Sequence, residues 1–179
     1  MQLDGMHVGV LAGEGVEDLE FWVTVMRLRE EGATVSSIGL APGTVHGKNG
    51  LAVDVDFAVG DVDAAQLDGL VIPGGWMPDK LRRYPAILDL VRSVHAAGRP
   101  IGIICHGGLI AISAGIVSGG SATGSLGIRD DLVNAGATWL DAPAFRDGTL
   151  VWGRVVDDIP AFCRELVSAL AADRDARHG

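Results

Sequence analysis

The stretch Pro100-Ile101-Gly102-Ile103-Ile104-Cys105-His106-Gly107-Gly108 decides the fold, and the apolar run Leu109-Ile110-Ala111-Ile112 follows it at once. Ile101, Ile103 and Ile104 are β-branched, which suits a short buried strand better than a helix. The glycine pair after His106 then opens a helix to about Ala114. Cys105 therefore falls on a strand-to-helix elbow. The nucleophile elbow uses this arrangement with serine: a tight turn lifts the reactive atom to the carboxyl edge of a parallel sheet, and small neighbours relieve the strain. Backbone N–H groups of the new helix can hold an oxyanion, and its dipole favours thiolate over thiol. A depressed thiol pKa is expected from this position. A free cysteine is more often a small buried hydrophobe, so the rest of the chain has to decide between the two readings.

The chain has 179 residues, 48% of them apolar and 21% charged, with 26 glycines. That composition fits a tightly turned α/β protein, and nothing in it divides residues 1–179 into more than one domain, with a core over about 6–170. The polar tail Asp173 to Gly179 is expected to fray. A net charge of −9, with no basic cluster beyond Lys80-Leu81-Arg82-Arg83, argues against nucleic acid and anionic membranes as partners. No apolar run approaches the ~18 residues of a spanning helix, and the N-terminus lacks a signal-peptide pattern, so a cytoplasmic location is expected. Cys105 and Cys163 are too few for a disulfide framework or a zinc site, and Cys163 reads as packing. His7, His46, His95, His106 and His178 lack ligand spacing, and no dinucleotide or Walker-type glycine loop occurs. Neither metal nor cofactor is expected.

Working outward, Met6 to Leu11 is a buried strand, and Glu17-Asp18-Leu19-Glu20 opens a helix that Gly32 ends. Leu19, Trp22, Val23, Met26 and the stem of Arg27 have the spacing of its core face. Thr34 to Leu40 is a second strand, and Asn49-Gly50 marks a hairpin turn. Asp61 to Leu67 is expected to be a short helix. Gly69 to Ile72 is a strand running into Pro73-Gly74-Gly75, where the glycines let backbone approach a ligand. Pro85 to Ala97 is a helix, Ile128 to Ala135 another, Asp147-Gly148 a hairpin turn before the strand Thr149 to Trp152, and Asp157-Asp158 caps a last helix to about Ala172. Strands alternating with helices predict a parallel sheet covered on both faces, with ligands at the carboxyl ends of the strands. The segments Gly13 to Glu17, Gly74-Gly75 and Cys105-His106 converge there.

A thiolate needs a proton partner and an oxyanion site. Glu17 begins a helix on the edge where Cys105 should emerge; it is either a solvated first-turn acid or a group whose pKa rises beside the thiolate so that it can shuttle a proton. His106 directly follows the cysteine, and sequence neighbours rarely point the same way, so a partly buried structural histidine is the competing reading. The backbone N–H groups of Gly75 and His106 form the natural oxyanion pair.

At these residues the chain resembles the PfpI family of intracellular peptidase-like proteins, within the class I glutamine amidotransferase-like superfamily that includes the Parkinson-disease protein. The resemblance runs in order through Glu17 to Glu20, Val71 to Gly75, Ile104 to Gly107, Gly127 to Asp131 with Asn134-Ala135-Gly136, and Asp157 to Phe162. It implies a flavodoxin-like three-layer sandwich with a mostly parallel sheet and Cys105 as nucleophile on the elbow. It also implies Glu17 hydrogen-bonded to the sulfur, and His106 paired with an acid of a neighbouring subunit at the position of Asp79. The protein is then expected to be at least a dimer. Gly108-Leu109 stand where the family commonly has Pro-Gln, Ser125 where many members have an aromatic, Trp76 where a polar or basic residue is usual, and Arg154-Val155-Val156 where Arg-x-Pro is found. These departures suggest a reshaped, more apolar pocket built from Gly74, Trp76, Met77, Gly107 and Ser125.

The expected function is a cofactor-independent, cysteine-dependent enzyme acting on small electrophilic carbonyls, like the glyoxalase III and deglycase activities attributed to that family. Cys105 would add to the carbonyl and Glu17 would move the proton. Two alternatives stay open: an amide or peptide hydrolase, or related hydratase, using the same cysteine, and a non-catalytic redox or stress-response protein sensing through Cys105.

Overall fold

The computed structural model describes residues 1–178. Its centre is a seven-stranded sheet in the order β10-β11-β7-β6-β1-β2-β5, made of β1 (His7–Leu11), β2 (Thr34–Gly39), β5 (Phe57–Ala58), β6 (Gly69–Ile72), β7 (Ile101–Ile104), β10 (Ala144–Asp147) and β11 (Leu150–Gly153). All neighbours are parallel except β10 with β11, which close the edge as the expected hairpin. β6 and β7 are buried at every position, as central strands covered on both faces must be. Gly102 of β7 is glycine because a Cβ there would stand 2.9 Å from the Phe162 ring and 3.0 Å from Leu166.

One helical layer contains α1 (Asp18–Glu30) and α6 (Ile159–His178); the other contains α2 (Met77–Leu81), α3 (Pro85–Ala96), α4 (Gly108–Ala114) and α5 (Arg129–Asn134). This is the flavodoxin-like α/β sandwich expected. Two small appendages complete it: the hairpin of β3 (Gly43–His46) with β4 (Ala52–Val55), and β8 (Ser121–Ala122) paired with β9 (Thr138–Trp139). Gly50 in the hairpin turn has φ 96°, the left-handed conformation expected there.

Three expectations need correction. The core face of α1 is not Leu19, Val23 and Met26, which are 47%, 38% and 61% exposed; the helix buries Asp18, Glu20, Phe21, Thr24, Val25 and Leu28 instead. Polar groups with fixed partners occupy inward positions that an apolar-spacing argument assigns outward. The helix expected over Asp61 to Leu67 is two separate 3-10 turns, Val59–Asp61 and Ala64–Gln66. The last helix runs on to His178, so Asp173 to Arg177 do not fray. Asp173 pairs with Arg177 and Arg99, and Arg177 with Asp68. Gly179, also placed in that tail, lies outside the described residues.

Candidate active site

The carboxyl ends of β1, β6 and β7 deliver three turns to one place, and Cys105 stands at its centre. Its φ is 58°, the only positive value at a non-glycine residue among the described residues. Such a backbone is strained for an L-residue and persists only where the surroundings over-determine it. Here glycines supply that fit: a Cβ on Gly74 would lie 2.8 Å from Cys105 Cβ and 2.9 Å from the His106 nitrogen, and one on Gly124 would lie 2.8 Å from the Cys105 carbonyl oxygen. The elbow read from the sequence is present.

The carboxylate beside the sulfur is Glu20, not Glu17. Glu20 is fully buried, its Oε2 accepts the Gly74 N–H at 2.6 Å, its Oε1 has no hydrogen-bond partner among the described residues, and a Cβ on Gly74 would lie 2.7 Å from that Oε2 and 2.8 Å from Cys105 Cβ, so the carboxyl stands beside the elbow. Glu17 instead caps α1: Oε2 accepts the Glu20 N–H at 2.8 Å and Oε1 accepts from Asn49 Nδ2 at 3.3 Å. The correction follows from helical geometry. The capping residue must turn its side chain back onto the first N–H groups, which leaves the residue three positions later to face the sheet edge.

Burial raises the Glu20 carboxyl to about 7, and the charge of Glu17 adds to the effect, while the Gly74 N–H opposes both. Burial, then the Glu20 charge, also pushes the Cys105 thiol up, to about 12, against the opposing influence of the nearby backbone N–H groups of His106 and Gly75. Burial and the neighbouring carboxyl thus act against the depression expected from the helix terminus. Two adjoining acids in a poorly hydrated site resist losing both protons. With the carboxyl at about 7 and the thiol at about 12, the single proton they share at neutral pH rests on the sulfur, so Glu20 is the neighbouring base that could take it.

His106 does share a side with Cys105: Nδ1 lies 3.3 Å from Sγ. The positive φ and the 3-10 turn Cys105–Gly107 curl the chain enough to bring neighbouring side chains together. Burial, and secondarily Lys48, hold the His106 pKa below its usual value, which favours the neutral imidazole.

These groups open into a cavity of about 560 Å³ lined by Glu17, Glu20, Lys48, Gly75, Trp76, Asp79, Lys80, Cys105, His106, Leu109, Ser125 and Val155 to Asp157. Trp76 forms an exposed lip and Ser125 a wall, as expected. Met77, Gly74 and Gly107 do not line it. Met77 is fully buried against the site expected for a Gly13 side chain, and the two glycines sit behind the elbow. Asp79 lines the cavity of its own chain, with its carboxylate turned to Arg83 one helical turn on rather than to His106.

Sequence reasoning missed Glu20, Lys48, Leu109 and the Val155-Val156 wall. Glu20 could have been found from the i, i+3 relation to a capping Glu17. Lys48 enters through the β3–β4 turn, which Asp18 holds by accepting the Asn49 and Leu51 N–H groups at 2.8 Å each. No local pattern signals that contact. Cys163, by contrast, is buried near Thr24 as the packing residue expected.

Residues 6–169 match the DJ-1/PfpI family. The chain belongs to that family. Among its members, a deglycase of Pyrococcus abyssi is 38% identical over 165 residues, covering 92% of this chain and 99% of its own. Deglycase PfpI of Pyrococcus furiosus is 37% identical over the same span, with the same coverage of both chains. Among solved structures, a two-domain protein of Anabaena variabilis with DJ-1/PfpI-like and ferritin-like domains superposes with a TM-score of 0.90 at 33% identity. That match covers 92% of this chain and 48% of the Anabaena one, so this chain corresponds to about half of the two-domain protein.

Proposed function

We propose that the protein is a cofactor-independent deglycase or glyoxalase III-type enzyme in which Cys105 is the nucleophile and Glu20 the proton carrier. The observation that carries this reading is the placement of one buried carboxyl, bound to the Gly74 N–H, beside a cysteine held at φ 58° on the strand-to-helix elbow. Similarity to deglycases supports it.

The chemistry balances without an external redox partner. Cys105 adds to the aldehyde carbon of an α-dicarbonyl, or replaces the amine or thiol of an early glycation adduct, giving a hemithioacetal whose oxygen faces the Gly75 and His106 N–H groups. Glu20 removes the hydrogen on that carbon and returns a proton to the adjacent carbon, turning aldehyde and ketone into thioester and alcohol. Water then cleaves the thioester, releasing a 2-hydroxy acid and restoring the thiol. A carboxyl with a pKa of about 7 is suited to both halves of that transfer at neutral pH.

A second reading, amide hydrolysis, draws on His106: at 3.3 Å from Sγ it is placed to protonate a leaving amine. The same site serves as an oxidant sensor if turnover is absent. We further infer that the protein acts as a homo-oligomer in the reducing cytoplasm. The exposed apolar side chains Leu19, Val23 and Met26 on α1 and the two free cysteines support this.

The test is turnover of methylglyoxal to lactate, and release of free thiol from its N-acetylcysteine adduct, by native protein and Cys105→Ala. Both activities should vanish in the variant. Retained activity would remove Cys105 from the mechanism; amine release from amides alone would favour the hydrolase, and no turnover of either class would favour the sensor.

A further inference from the structure

The chain contains only two lysines, Lys48 and Lys80, against twelve arginines, and both lysines line the cavity around Cys105. They reach it from unrelated parts of the chain. Lys48 comes from the β3–β4 turn and Lys80 from α2. Neither takes part in an ion pair among the described residues, whereas seven of the arginines do. Two unpaired ammonium groups beside a catalytic thiol, in a protein of net charge −9, call for an explanation other than surface solubility.

The acids of the cavity do not neutralise them. Glu20 is fully buried and bound to the Gly74 N–H, Glu17 is engaged with the start of α1 and Asn49, and Asp79 with Arg83. Asp157 follows β11, on the opposite side of β7 from the β3–β4 hairpin, and shares its wall with Val155 and Val156. The cavity is therefore polarised across the nucleophile, with cationic side chains on one flank and an apolar wall ending in an acid on the other. The Lys48 charge is felt at the reacting groups, since it lowers the pKa of both Glu20 and His106. Lys80 Nζ lies over Gly15, 3.8 Å from where a Cβ would stand, in the space beside Trp76 at the cavity mouth.

We propose that Lys48 and Lys80 form an anion clamp, and that the substrates of this site are carbonyl compounds bearing a carboxylate or phosphate group. This rests on the reading of Cys105 as an accessible nucleophile, and extends it by naming the substrate class. The lysines are specificity-determining: they hold the anionic end of the substrate while its carbonyl reaches Sγ. Lysine suits this role because its ammonium is a compact charge with rotatable donors, able to meet either anion without the fixed fork of arginine.

The experiment compares two alkylating agents of nearly equal size, iodoacetate and iodoacetamide, at Cys105 of the full chain, read by mass spectrometry. The measured quantity is the ratio of their rates, in native protein, Lys48→Gln/Lys80→Gln and Lys48→Arg/Lys80→Arg. Two unit charges near a partly screened site change such a ratio on the order of tenfold. The iodoacetate preference should fall by about that factor in the glutamine variant, stay near native in the arginine variant, and shrink with added salt. Competition by acetate or by inorganic phosphate then separates a carboxylate preference from a phosphate preference. An equal ratio in native and glutamine-substituted protein overturns the proposal. Because alkylation needs no turnover, a protein that keeps the ratio but converts no dicarbonyl overturns the deglycase reading and leaves the clamp standing.

Discussion

Glu20, in the first turn of α1, holds the Gly74 N–H and stands beside Cys105, while Glu17, three residues earlier, caps that helix. Two acids of one short motif thus have separate tasks, and substitution separates them. Glu20→Gln should lower kcat for methylglyoxal by about 10²–10⁴, the usual span for a lost acid–base group, with Cys105 still open to alkylation. Glu17→Ala should cost about 1 kcal/mol of stability through the lost cap and much less of kcat. Steady-state kinetics and thermal melts of the two variants check this, and the reverse ranking would restore Glu17 to the proton transfer.

Stability should respond to pH through Glu20. Its folded pKa is about 7 against an ordinary 4.5, so below pH 4.5 the carboxyl is protonated both folded and unfolded and carries no penalty. Between those values the unfolded chain ionises first, and stability falls as pH rises, completing its fall above about 7. A shift of that size corresponds to about 3 kcal/mol. Glu20→Gln should therefore melt higher than native protein at pH 8, with the gap closing towards pH 4.5. Parallel melting curves across that range would contradict the burial-driven shift.

Trp76, 64% exposed at the lip of the cavity, should favour substrates with an aromatic or other apolar group. Native protein should show a higher kcat/KM for phenylglyoxal than for methylglyoxal, and Trp76→Ala should narrow the ratio by roughly tenfold, the weight of a modest aromatic contact. An unchanged ratio would mean that the indole serves assembly or solvent contact rather than substrate.

Asp79 lies in the cavity but is turned to Arg83, which leaves His106 without an acid partner from its own chain. If the partner comes from a second subunit, mixing Cys105→Ser with Asp79→Asn chains should restore activity. Half of the randomly mixed dimers would be hybrids, each with one intact site, so about a quarter of the native activity is expected. No recovery on mixing, with subunit exchange verified by mass spectrometry, would exclude the trans pairing.

The sheet and its elbow cysteine are legible in the sequence because their signals are local. Ile101 to Ile104 reads as a buried strand from composition alone, and Gly107-Gly108 marks the turn that follows. The failures share a different cause. Leu19, Val23 and Met26 have core spacing, yet the inward face of α1 goes to Asp18 and Glu20, whose partners are backbone N–H groups 31, 33 and 54 residues away. A buried acid with remote partners looks, in sequence, like a solvated one. The upward push on the thiol is hidden for the same reason, since the helix terminus is visible locally and the buried carboxyl beside the elbow is not. The length of α6 depended on Asp173 and Arg177 meeting Arg99 and Asp68, again contacts across the chain.

The scarcity of lysine has a practical consequence for anyone handling this protein. Amine-directed reagents, whether acylating tags, cross-linkers or glycating sugars, find side-chain targets only at the two ammonium groups that border Cys105. Random surface coupling through lysine becomes directed chemistry at the mouth of the pocket. Immobilising the protein through its lysines should therefore obstruct the site, whereas a fluorophore attached the same way would report on what enters it.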